Sequence, residues 1–187
     1  MSRSELQIFL DDQQRQVDAR KKLDQLVKKY RRHTPQVNPT WDCSVESIAM
    51  CDIDASWIDS GVAVFRAPFC DVWNLLYEPA VYDGSTLWNK EDHTLDKIVR
   101  VIQHWERSEG LAPMLLSVRA SSRLGLVIDG KHRLTVAHRM TCAEIPFMVP
   151  LKESDWILRA LPSVTSVAQY SSEDVRQALQ LRGEAAI

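Results

Sequence analysis

The residues with the clearest chemical potential lie together at positions 129–133, where Asp-Gly-Lys-His-Arg directly follows the apolar run GLVI. The amphipathic run HRLTVAHRM begins inside the same segment. This pattern predicts a strand that passes into a helix through a glycine turn. The N-terminus of a helix offers unpaired N–H groups and a partial positive charge, and both attract phosphate.

The side chains of this box (residues 129–133) strengthen the prediction of a phosphate site. Gly130 lets the backbone approach a ligand without a Cβ in the way, and Arg133 offers a planar fork that matches phosphoryl oxygens. Lys131 and His132 add further donors, although Arg133 can instead pair with an acid. The sequence leaves three interpretations of Asp129 open: it orients Arg133 or His132, it holds a metal, or it only forms the turn.

Two further groups of residues are weaker candidates for the same site. Ser121, Ser122 and Arg123 lie in the turn before the box strand, where they either contact a ribose or phosphate or form an ordinary hairpin tip. His138 follows the box within the same predicted helix and either faces the pocket or is a surface or core histidine.

A possible metal site lies earlier in the chain, in the sequence CDID. Asp52 and Asp54 are two residues apart, so on a strand both carboxylates would point to one side and could bind a divalent ion. Solvated acids on a strand are the alternative.

Alternating helices and strands must position these residues, so the sequence predicts an α/β (α+β) fold, a compact mixed sheet with flanking helices. Residues 1–35 form a basic helical extension, with a helix over residues 4–32, and residues 41–187 form the domain. The predicted strands are SVESIAM, ASWIDSG, VAVF, APMLLSV, GLVID and EIPFMVPL. The other predicted helices are TLDKIVRVIQHWERSEG, with Thr94 as its cap, HRLTVAHRM, DWILRAL and SSEDVRQALQL, which Ser171 or Ser172 opens.

Composition limits the function classes. The chain has 187 residues, 45% of them apolar, and a formal net charge of -2, so the molecule as a whole does not attract nucleic acid or anionic lipid. Residues 1–32 carry nine Lys/Arg against five Asp/Glu. This segment is either a solvated helix face packed on the body or a partner, or an arm that contacts phosphates, and any DNA binding is expected to be weak and non-specific.

The cysteines and the chain start indicate a location in the cytoplasm. The four cysteines show neither paired short spacing nor zinc-ligand spacing with histidines, as expected of reduced thiols. The polar start MSRSELQ lacks the apolar region of a secretory signal, and no apolar run approaches the ~20 residues of a membrane span. We therefore expect a cytoplasmic protein without membrane insertion.

The order APMLLSV, GLVIDGKHRLTVAHRM, EIPFMV resembles the core of the ParB/sulfiredoxin superfamily over residues 94–160. Members carry a proline-led strand, a hairpin, an apolar strand ending in a Gly-x-His-Arg box, a helix and an Ile-Pro strand. The resemblance implies that the box binds nucleotide phosphates. Sulfiredoxins have a cysteine where this chain has Lys131, and an ammonium cannot replace a thiolate, so sulfinic acid reduction is not expected.

Chromosome-partitioning ParB proteins add a second nucleotide motif and a DNA-binding domain that the residues after Val149 cannot hold. The layout instead resembles the plasmid fertility-inhibition (oncogenic suppression) proteins, stand-alone domains that block DNA transfer through a type IV secretion system. This resemblance implies ATPase activity and sequence-tolerant DNase activity with ATP and a divalent Mg or Mn ion, carried by Asp129, His132 and Arg133. The alternative is a non-catalytic nucleotide-binding protein that docks onto a secretion ATPase or coupling protein.

Overall fold

The computed structural model describes residues 3–185, which form a five-stranded mixed sheet with helices on both faces. The expected α/β class is confirmed. The helices are α1 (Arg3–Arg32), α2 (Val45–Ile48), α3 (Ala55–Ser60), α4 (Phe69–Leu75), α5 (Leu95–Glu106), α6 (Lys131–Arg139), α7 (Ser154–Ala160) and α8 (Ser172–Ala185). The strands are β1 (Val62–Pro68), β2 (Met114–Arg119), β3 (Leu124–Asp129), β4 (Glu144–Pro150) and β5 (Thr165–Tyr170).

The strands lie in the order β3-β2-β4-β1-β5. β2 and β3 form an antiparallel hairpin, β2 and β4 are parallel, and β1 is antiparallel to both β4 and β5. The chain passes from β3 through α6 to β4, so α6 is the crossover helix that returns the chain to the sheet beside β2. This connection fixes the position of the box, which begins where β3 ends.

Apolar side chains fill both faces of the sheet. One face carries Phe65 and Phe147, which pack with α5 and α6 in the larger cluster, and the other carries Leu115 and Met148, which pack with Trp57 of α3. The middle strand β4 is buried along six of its seven residues. A continuous apolar strand is typical of a strand covered on both faces.

Two predicted strands are wrong, because SVESIAM and ASWIDSG form the short helices α2 and α3. Ser44 accepts a hydrogen bond from the backbone N–H of Ser47, and the carboxylate of Asp54 accepts from those of Ser56 and Trp57. These are N-cap contacts, and they stabilise a helix start where the apolar spacing alone resembles a strand.

Two elements were not predicted from the sequence. The helix α4 follows β1 without a loop, and the strand β5 pairs with β1 at the edge of the sheet. Three of the six residues of β5 are exposed in a row, so its sequence lacks the apolar alternation that identifies a half-buried strand.

The second half of α1 belongs to the body of the molecule. Leu23, Leu26 and Val27 pack on the large cluster, Tyr30 is buried, and its hydroxyl donates to the Glu106 carboxylate of α5. None of the helices in the described part of the chain combines the length and apolar composition that a bilayer crossing requires.

Candidate functional site: a cationic pocket between α5 and α6

Gly130 forms the turn between β3 and α6. Its φ is +93°, in the left-handed region that favours glycine. A Cβ at this position would lie 2.8 Å from the Cα and Cβ of Met114 on the neighbouring strand and 3.0 Å from a guanidinium nitrogen of Arg133. Both the backbone conformation and the close approach of β2 therefore require glycine here.

Asp129 holds the turn and Arg133 together. One carboxylate oxygen accepts from the backbone N–H of Gly130 at 2.6 Å, and the other accepts from Nη2 of Arg133 at 3.0 Å. The Arg133 side chain is only 15% exposed. Asp129 thus orients Arg133, which was one of the three interpretations that the sequence left open. The two residues are four positions apart, about one helical turn.

His132 is held in its neutral form. Its Nε2 accepts a hydrogen bond from the backbone N–H of Thr94 at 3.3 Å, which leaves the proton on Nδ1. Burial, followed by the nearby charges of Lys97, His93 and Lys131, lowers the pKa of His132 to about 4. The residue can donate a hydrogen bond through Nδ1, but its basic nitrogen is already occupied. Thr94 is the N-cap of α5, as expected, although its side chain makes no capping hydrogen bond.

Lys131 points away from the site that the sequence predicted for it. Its Nζ donates to the backbone carbonyl of Asp92 at 2.8 Å, and the residue does not line the pocket beside the box. Lys131 therefore ties the start of α6 to the segment before α5.

A pocket of about 240 Å³ opens between α5 and the box. Arg133 enters it from α6, and Lys97 and Arg100 enter it from α5, so three cations face one carboxylate, that of Asp129. The remaining lining residues are Val101, His104, Leu111, Gly130 and His132. Because the excess of positive charge in this cleft attracts negatively charged groups, the pocket is suited to an anion.

Lys97 and Arg100 were missed by the sequence reasoning. A signal was present, because positions 97, 100, 101 and 104 follow the three- and four-residue spacing of one helix face. That face could not be assigned to the box from the sequence, which separates Lys97 from Arg133 by 36 positions.

Ser121, Ser122 and Arg123 are exposed at the tip of the β2–β3 hairpin. The box lies at the other end of β3, about 16 Å away for a strand of this length. These residues do not line the pocket, and the structure does not bring them together with Arg133.

The carboxylates of Asp52 and Asp54 are not side by side on a strand, because Asp52 lies in a loop and Asp54 is the N-cap of α3. The Asp54 carboxylate already accepts hydrogen bonds from the backbone N–H groups of Ser56 and Trp57. The Ser56 side chain, followed by the N–H of Trp57, lowers the pKa of Asp54. Within residues 3–185 no three His, Cys, Asp or Glu side chains are grouped as metal ligands. The strand on which the two acids were expected to lie side by side is therefore wrong, and the geometry that suggested a metal site is not present.

His138 is a packed residue, as the alternative interpretation proposed. Its ring stacks on Trp73 with the centroids 4.3 Å apart, and its Nδ1 accepts from the backbone N–H of Gly84 at 2.8 Å. The histidine thus anchors the segment around Gly84 to α6 and does not face the pocket.

No cysteine of the described chain forms a disulfide, in agreement with the expected free thiols. Cys51 is buried beside Arg133, and burial raises the pKa of its thiol while Arg133 opposes only part of that rise. The thiol beside the pocket is therefore protonated at neutral pH, and it is a poor nucleophile in that form.

Comparisons of this chain with protein-family models, with curated proteins and with solved structures gave no match. The resemblance to the ParB/sulfiredoxin superfamily therefore stays a prediction.

Proposed function

We propose that this protein binds the phosphate groups of a nucleotide in the pocket between α5 and α6. The observation that carries the proposal is the convergence of Lys97, Arg100 and Arg133 on the N-terminus of α6, opposed by the single carboxylate of Asp129. Charge-assisted hydrogen bonds from guanidinium and ammonium groups are the strongest that a protein offers to phosphate. ATP is the ligand that the resemblance to the ParB/sulfiredoxin superfamily implies.

The size of the pocket supports the phosphate chain as the part of the nucleotide that it would hold. Its volume of about 240 Å³ lies below the range of about 300–1,000 Å³ typical of sites that enclose a whole small molecule. The base and sugar would then lie outside it. The apolar Val101 and Leu111 complete the lining and offer a surface for the part of the ligand nearest the phosphates.

The state of the titratable side chains favours nucleotide binding without hydrolysis. Asp129 is committed to Arg133, His132 is neutral with its basic nitrogen occupied, and Nδ1 of His104 lies 2.7 Å from a carboxylate oxygen of Glu109. A general base needs a free acceptor within reach of the attacking water. We therefore place a nucleotide-dependent docking protein, acting on a component of a secretion system, ahead of the ATPase and DNase.

The residues present do not make a divalent-metal site by themselves, so no step of the proposal depends on a metal. Among the residues that the structure describes, Asp129 is the only carboxylate that lines the pocket, and it is paired with Arg133.

Binding is tested by calorimetric titration of ATP into the wild type, Lys97→Gln and Arg100→Gln. Both side chains are exposed, so the changes should leave the fold intact. Loss of one charged hydrogen bond costs about 1.5–3 kcal/mol, which weakens the affinity about tenfold or more. Arg107→Gln is the matched control, because Arg107 follows the end of the same helix and does not line the pocket. Equal affinity in all four proteins would refute the proposal.

Hydrolysis is tested separately by phosphate release from ATP, with and without Mg²⁺ or Mn²⁺. We expect no release above the rate of an Arg133→Ala control in a protein that still binds ATP. ATP hydrolysis by the wild type that Arg133→Ala abolishes would favour the ATPase over the docking protein. It would leave the proposed phosphate pocket unchanged.

A further inference from the structure

The first half of α1 projects from the body of the molecule with apolar side chains in solvent. The whole helix is about 45 Å long, and every side chain from Gln7 to Lys22 is exposed. Four of these side chains are large and apolar, with exposed fractions of 61%, 50%, 50% and 45%: Ile8, Phe9, Leu10 and Val17. Adjacent exposed apolar residues on a helix indicate a surface that another element covers.

The charges of α1 are separated along its length. Residues 7–18 carry three acids and one base, whereas residues 19–32 carry seven bases and one acid. Two such helices side by side repel each other in the parallel orientation. In the antiparallel orientation the acidic half of each helix lies against the basic half of the other.

A groove of about 500 Å³ follows the line along which α1 leaves α5. Ala19, Leu23 and Leu26 form its apolar part. Its charged residues are Arg20, Lys22, Asp96 and Arg100, so three cations accompany one acid. The groove therefore matches an apolar helix with acidic neighbours, and the first half of α1 has that composition.

We propose that α1 forms an antiparallel pair with α1 of a second copy of this chain. The first half of each helix lies in the α1–α5 groove of the other copy. If the helices cross at Val17, Asp12 of one copy lies level with Lys22 of the other, and Ile8 lies level with Leu26. The arrangement is a twofold-symmetric interface, which makes every contact twice. It buries Ile8 and Phe9, which at 100° per residue lie on the side of α1 that carries Leu23 and Leu26.

A nucleic acid partner would explain fewer features of the α1 surface than a second copy of the chain does. A duplex attracts the seven bases of the second half, but it leaves Ile8 and Phe9 in water and meets three acids of like charge in the first half. A second copy satisfies both halves at once. The inference does not rest on the proposed nucleotide function, although Arg100 lines both the groove and the pocket.

The test is sedimentation equilibrium of the full chain with no nucleotide. The wild type should show twice the 21.4 kDa of one chain at the higher protein concentrations. Phe9→Glu, at an exposed position that should not affect folding, should sediment as a single chain. The control is Leu181→Glu, which makes the same chemical change at a 57% exposed apolar residue of α8 and should remain dimeric.

Charge reversal identifies the orientation of the two helices. Asp12→Lys and Lys22→Asp should each weaken the dimer at least tenfold, and the double variant should recover most of that loss because the pair is restored with opposite polarity. A monomeric wild type, a dimeric Phe9→Glu protein, or a double variant weaker than either single variant would overturn the proposal. A wild type that dimerises only when DNA is added would assign the surface to nucleic acid and would also overturn it.

Discussion

Replacing Gly130 with alanine should destabilise the protein and weaken the nucleotide site together. The backbone at this residue has a φ of +93°, and a non-glycine residue in the left-handed region costs about 1–2 kcal/mol. The added Cβ would also lie 2.8 Å from the Cα of Met114, which belongs to a buried strand and cannot move freely. Overpacking of this kind adds about 1–3 kcal/mol.

The two costs add to about 2–5 kcal/mol of unfolding free energy. For a chain of this size that corresponds to a fall in Tm of roughly 4–20 °C. The same Cβ would displace the guanidinium of Arg133, which lies 3.0 Å from it, so ATP affinity should fall as well. Urea unfolding and calorimetric titration measure the two effects.

Gly183→Ala is the matched control for this experiment. Gly183 lies in α8, and a Cβ there would meet no atom within 4 Å. An alanine in a helix should then stabilise by up to about 1 kcal/mol. A Gly130→Ala protein whose unfolding free energy stays within about 0.5 kcal/mol of the wild type, a change typical of unconstrained surface positions, would refute the reasoning.

Two further predictions concern pH and DNA. The folded-state pKa of His132 is about 4 against an ordinary value of 6.5, so the unfolded chain takes up this proton first. The free energy of unfolding should therefore decline as the pH falls from 6.5 toward 4. Urea midpoints measured over this range should decline less for His132→Gln than for the wild type, and an equal decline would contradict the assignment. DNA association should be weak, with a log-log salt slope of about -2 to -4, and replacing Lys21, Lys22 and Lys28 with glutamine should make the slope shallower. Unchanged affinity and slope in that triple variant would show that DNA binds elsewhere.

The sequence by itself predicted those elements that have a local pattern, such as a turn glycine or a helical spacing of apolar residues. The glycine turn at Gly130 was predictable because few residues other than glycine tolerate its backbone conformation, and α1 and α5 were predictable because their apolar residues recur at helical spacing. The sequence EIPFMVPL likewise predicted a strand, and β4 confirms it. At Ser44 and Asp54 the local signal for a helix is an N-cap residue and not a helical spacing of apolar residues. The segments that follow these two residues were therefore predicted as strands.

The chemistry of the pocket depends on tertiary contacts that no local pattern encodes. The packing of α5 against α6 brings Lys97 and Arg100 to Arg133, and a contact with Asp92 withdraws Lys131, although the sequence places it inside the box. Burial under α5 keeps His132 neutral, and a residue type alone does not specify a pKa. The sequence by itself therefore determined where the chain turns and which segments are apolar. Only the tertiary structure decided which charges meet, because electrostatic interactions depend on distance and solvent exposure and not on separation along the chain.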